Sequence, residues 1–237
     1  MKAIIVNRKI LTFLFLLVFW VLHVPALEKI YVFFPSAVNS QSMQNIMTEQ
    51  MKEANIIVFG RYNEFMARIK SEPPDAVITK TMLIKDQLND FEILLNGERN
   101  GKTVENYVIL STEGFDVDSV SAETVIGVID VLGRNAMGSF SKQFFPVEPK
   151  LKRVSKLEDL LSLLSFDLIA GIMVEDGFTE YFKSISKLQF NITPLNGTNT
   201  GIVALAVKKG NKAEKTVLCL KKNDKKICDL FQIEKWK

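Results

Sequence analysis

An α/β fold made of two βαβ units, each a largely parallel sheet covered by helices, is predicted by three features of the sequence. Short β-branched apolar runs alternate with stretches of helical apolar spacing. Glycine, proline or small polar residues punctuate most of the changes between them, and the alternation pauses at a polar link, residues 116–123, before it resumes.

In chain order, residues 30–34 read as a strand, and the loop 35–40 leads into a helix reaching about residue 54. Met43, Ile46, Met47, Met51 and Ala54 recur at helical spacing and form its core face. Residues 56–59 are a strand and 63–69 a helix stopped by Pro73 and Pro74; 75–79 is a third strand and 81–88 a helix. Strands at 92–96 and 105–111 close the first unit.

The second unit opens with a β-branched apolar run, 125–131, that reads as a buried strand. A loop, Leu132 to Asn135, and a helix over 136–145 follow. A glycine turn between strand and helix leaves backbone N–H groups converging at the positive end of the helix dipole, which attracts anions. Arg134, Asn135, Ser139 and Ser141 are near enough to assist; an ordinary connecting loop is the competing reading. Gly133 and Gly138 have the gap of a phosphate-binding P-loop, but Ser139 stands where that motif needs lysine, and no G-x-G-x-x-G is present. Beyond this lie a short strand at 152–154, a helix at 157–164, a strand at 167–174 and a helix at 178–185. Strands at 190–195 and 202–207 and helices at 212–220 and 225–231 complete the chain.

Residues 1–26 have the three parts of an export signal: basic Lys2, Arg8 and Lys9, an apolar run, and Val24-Pro25-Ala26 before a cut that leaves Leu27 first. An uncleaved membrane anchor is the alternative, because 10–26 is an uncharged run near the lower length limit of a span. The whole chain has 30 basic and 27 acidic residues; without this segment 27 of each remain, which gives no electrostatic argument for nucleic acid. The one histidine, His23, falls inside the segment, so the rest has no Ser-His-Asp triad, no histidine base and no histidine metal ligand. No enzyme, metal or cofactor is expected. Cys219 and Cys228 are expected to form a disulfide in an oxidising compartment, with two buried thiols as the alternative. Residues 208–237 hold ten lysines and four acidic residues, read as a solvated basic face with weak contact to anionic lipid or a partner as the alternative.

The order of elements resembles the type II periplasmic binding proteins, and within them the phosphate- and phosphonate-binding branch of ABC-transporter solute receptors. The residues that carry the resemblance are 30–36, 75–79 before a helix, 107–111, 124–139, 166–172 and the returning strand 201–207. It implies two lobes, 27–115 with 190–237 and 119–188, joined by crossings at 112–123 and 188–195. It also implies a small anionic solute held in the cleft between them, with a membrane permease or an envelope complex as partner. Position by position, the ligand would meet Ser36, Asn39, Ser40, Thr79, Thr81, Ser111 and Thr112 from the first lobe and Arg134, Asn135 and Ser139 from the second. Two departures from the family pattern are the loop Gly133 to Ser139, which is not serine-rich, and the adjacent carboxylates Glu175 and Asp176, which would repel an anion. They leave room for an exported adaptor or sensor that kept the fold.

Overall fold

The computed structural model describes residues 27–197 and 199–237. The export-signal reading of residues 1–26 lies outside the described residues. Among them, no helix is long and apolar enough to cross a membrane.

The first sheet is built from β1 (Glu28–Phe33), β2 (Ala54–Phe59), β3 (Ala76–Thr79) and β4 (Phe91–Glu98), with β12 (Ala204–Lys208) and β13 (Lys235–Trp236) returning from the end of the chain. Its order is β13-β4-β12-β3-β1-β2, parallel across β2, β1 and β3 and antiparallel where β12 and β13 enter. Every residue of β3 and the last four of β1 are buried, as expected for central strands covered on both faces. Helix α1 (Ser40–Gln50) buries Met43 and Met47, one turn apart. It is followed by α2 (Tyr62–Ser71), which buries Phe65 and Ile69, and by α3 (Thr81–Gln87).

The second sheet contains β6 (Tyr107–Ser111), β7 (Val125–Ile129), β8 (Lys150–Val154), β9 (Gly171–Glu175) and β10 (Asn191–Pro194), in the order β10-β6-β9-β7-β8. Around it lie α4 (Arg134–Lys142), α5 (Leu157–Ser165) and α6 (Thr179–Ile185). On α5, Leu157, Leu160 and Leu164 are buried, the expected apolar face.

The chain passes between the sheets through two short strands, β5 (Val104–Glu105) and β11 (Thr200–Gly201), which pair antiparallel with each other, Thr200 opposite Glu105 and Gly201 opposite Val104. The expected crossings at 112–123 and 188–195 are therefore displaced. Strand β6 pairs with β9, and β10 with β6, so both belong to the second sheet and not to the first. Sequence pattern misses this because a buried strand reads the same whichever sheet receives it. The apolar clusters of the molecule each draw residues from both sheets, so the lobes also meet through packed side chains.

Helices α7 (Glu214–Leu220) and α8 (Lys225–Leu230) cover the first lobe. The expected disulfide between them is absent: Cys219 and Cys228 are free thiols. Cys228 is packed in the core, whereas Cys219 is half-buried with its thiol directed at the Gln50 carbonyl, 3.7 Å away. The turn between the helices gives the two sulfurs different neighbours, and burial pushes both thiols above their usual pKa.

Candidate functional site

A cavity of about 670 Å³ lies between the lobes. Its first-lobe wall is the β1–α1 loop, from Phe33 to Ser40, with Gly60, Arg61 and Glu64; its second-lobe wall is Ile129, Asp130, Ser155, Lys156, Glu158 and Asp159. The parallel strands account for this placement, because the C-terminal ends of β1, β2, β7 and β8 open on the same crevice.

Helices α1, α2 and α5 all begin at this cavity. Asn39 caps α1, its side chain accepting from Ser42 N at 2.9 Å. Arg61 and Lys156 precede α2 and α5 without a side-chain cap, so those first-turn N–H groups remain for solvent or solute. Acidic side chains offset this positive character. Asp130 accepts from Gly133 N at 2.9 Å and pairs with Arg153 at 2.6 Å, and Glu64, Glu158 and Asp159 stand in first turns. The cavity thus offers two cations, Arg61 and Lys156, four carboxylates and three helix starts.

Below it the space between the lobes is filled by the protein's own charges. Lys80, between β3 and α3, is 1% exposed, and its ammonium lies 3.0 Å from Glu175 Oε1 and 3.8 Å from Glu105 Oε1. It also sits over the rings of Phe34 and Phe178, 4.7 and 5.4 Å from their centroids. The Tyr107 hydroxyl donates to Glu175 at 2.8 Å, and Arg99 pairs with Glu105 at 2.6 Å while donating to the Gln232 carbonyl. Burial pushes the Glu105 carboxyl above its usual range against the pull of Lys80. Burial, then the charge of Glu175, pushes the Tyr107 hydroxyl well up. The gap left among Tyr107, Met137, Met173, Glu175 and Phe178 is only about 20 Å³.

A second contact closes one flank of the cleft. Gly133, at φ 80°, takes a conformation that favours glycine, and a Cβ there would lie 2.5 Å from the Tyr62 ring. The Tyr62 hydroxyl bonds to Gln87, whose amide donates to the Leu132 carbonyl at 2.8 Å.

Of the residues expected to hold a ligand, the structure brings Ser36, Asn39 and Ser40 together in the cavity wall. Ser36 is already engaged, its hydroxyl donating to the Leu230 carbonyl at 3.0 Å and accepting from Val38 N at 3.1 Å. Thr79 and Thr81 are buried, and Thr81 lies directly under Gly201 of β11. Ser111 and Thr112 lie at the other end of β6, where Thr112 borders a separate surface hollow. Arg134, Asn135 and Ser139 are exposed on α4, which starts two residues earlier than expected, and Arg134 borders a hollow with Glu148 and Arg153 outside the main cavity. The sequence reading named Thr79 and Thr81 and passed over Lys80 between them. It also missed Arg99, Glu105 and Tyr107, although a lysine at the end of an apolar strand was a visible signal.

This architecture is the type II periplasmic-binding-protein fold. No protein-family model matches the chain, and no curated protein matches it in sequence. Solved structures do. An amino acid ABC transporter substrate-binding protein, AbpA from Streptococcus pneumoniae bound to L-arginine, superposes with a TM-score of 0.57 at 15% identity over 86% of this chain and 95% of the other. A mutant of ArgBP from T. maritima gives 0.58 at 12% identity over 86% and 96%. The periplasmic VFT2 domain of Bordetella pertussis BvgS gives 0.53 at 12% identity over 86% and 92%. These neighbours do not support the phosphate and phosphonate branch expected from the sequence; the transporter receptor among them is an amino-acid-binding one.

Proposed function

We propose that this chain is an exported solute-binding protein whose cleft takes a small zwitterionic solute of the amino-acid class for delivery to a membrane permease. The observation that carries this is the cavity of about 670 Å³ shared by the two lobes, in which three helix starts and two cations face four carboxylates. A bare phosphate or phosphonate would gain from the helix starts but meet Glu64, Asp130, Glu158 and Asp159. A solute with one anionic and one cationic end satisfies both sets. The solute-binding neighbours are consistent with this class.

A second reading, a sensor or an adaptor in an envelope complex, draws support from the charges that tie the lobes together beneath the cavity. A thermal-shift series with L-amino acids, phosphate and a phosphonate separates these readings. A zwitterion at about a hundred times its dissociation constant should add roughly 2.7 kcal/mol. A shift with phosphate alone would return the solute to the anion class, and no shift with any probe would favour the adaptor.

A further inference from the structure

Resting on the same cleft but concerning its closure, we infer that Lys80 is a tethered cation that clamps the lobes from inside, so that the closed state is set by the chain's own charges and not by the solute in the outer cavity. The contacts divide by lobe. Lys80 and Arg99 come from the first lobe, Glu105 from crossing strand β5, and Glu175 and Tyr107 from the second lobe. Two cations face two carboxylates, and each carboxylate is at most 9% exposed at its side chain. Lys80 is the member that reaches both carboxylates.

Closure is otherwise costly at this spot. The hydroxyls of Thr79, Thr81 and Thr179 are buried without a hydrogen-bond partner, and opening would give them water. Removing the ammonium leaves Glu105 paired with Arg99 but leaves Glu175 a buried carboxylate held only by the neutral Tyr107 hydroxyl, without its counter-ion. The closed state therefore rests on Lys80. The surroundings of its head group, two carboxylates and two aromatic faces, are those of a site for a primary ammonium, filled here by the chain itself.

The test uses the full chain with Cys219→Ser and Cys228→Ala, and with nitroxide labels attached through Ser71→Cys in the first lobe and Ser162→Cys in the second, both positions exposed. Interlobe distances are read by double electron–electron resonance without added solute. The parent should give one narrow, short distribution. Lys80→Met should move it to longer, broader distances, Glu175→Gln should do the same, and Tyr107→Phe should do so less. In Lys80→Ala, propylammonium matches the side chain beyond Cβ and should restore the short distance in a saturable way, whereas propanol should not. A parent-like distribution in folded Lys80→Met, or an open parent, would overturn the inference. Should Lys80→Met fail to fold, Glu175→Gln and amine rescue of Lys80→Ala decide it by the same distances. Solute binding is measured separately, so a clamp without a solute and a solute without a clamp are distinguishable results.

Discussion

At the scale of single residues, Gly177 shows how closely the charged floor is fitted. A Cβ at this position would lie 1.5 Å from an Arg99 guanidinium nitrogen and 2.7 Å from Glu105 Oε2. Gly177→Ala must therefore push Arg99 from Glu105 and from the Gln232 carbonyl, and a loss of about 1–3 kcal/mol is expected in urea unfolding. Gly114→Ala, with nothing near its Cβ, should change stability by no more than about 0.5 kcal/mol. Little at this scale was legible beforehand. Glu175 looked like a charge hostile to an anion because its neutralising partner lies 95 positions away in the sequence, in the other lobe. Ser36, Asn39 and Ser40 fall in the cavity wall because a strand end followed by a capped helix is a local signal, and the pairing of Lys80 with Glu175 is not.

At the scale of elements, the strand β13 is fastened by charge. Glu98 is hydrogen-bonded to Lys235, with Lys237 beside it, and these ammonium groups hold its carboxyl below the usual carboxylate range. A carboxyl depressed in the folded state stabilises fully at neutral pH, and the contribution is lost as pH falls through its folded pKa. Fluorescence of Trp236, in a Trp20→Phe background, should report release of β13 on the acid side, and Glu98→Gln should remove that acid transition. On α5, Leu160 is fully buried, and Leu160→Ala should cost about 2–5 kcal/mol, measured by chemical denaturation. Between α7 and α8, the intact protein should retain two titratable thiols. Alkylation should take half-buried Cys219 before core-packed Cys228. The helices and most strands were legible because their apolar periods are local. Strand β9 begins at Gly171 and not at residue 167, because Asp167 adopts φ 53° in the turn after α5. The two-residue strands β5, β11 and β13 were invisible, being defined by partners and not by pattern.

At the scale of the whole molecule, the two-unit α/β architecture was legible from the alternation of strands and helices, and the allocation of strands between sheets was not. Each sheet accepts, antiparallel, a strand that has just arrived from the other lobe: β6 beside β9, and β12 between β3 and β4. The expected centre of the site and the cavity differ for a related reason. The sequence reading centred on the start of α4, while the cavity forms where α1, α2 and α5 begin, and that convergence exists only after folding. Lys156→Met should weaken binding of a zwitterionic solute by about tenfold or more if its carboxylate lies against that ammonium, read by calorimetry.

The two strands of the crossing ribbon carry a last consequence. Because β5 and β11 lie side by side, the entry and exit of the second lobe are adjacent, a strand spacing of about 5 Å apart. The second lobe is then, in genetic terms, a cassette inserted at one point of the first. A gene joining residue 103 to residue 202 through a few glycines would bring β12 back beside β3 and β4 with little chain left to close. The seam between the two units is thus a single place in the molecule, although the chain crosses it twice.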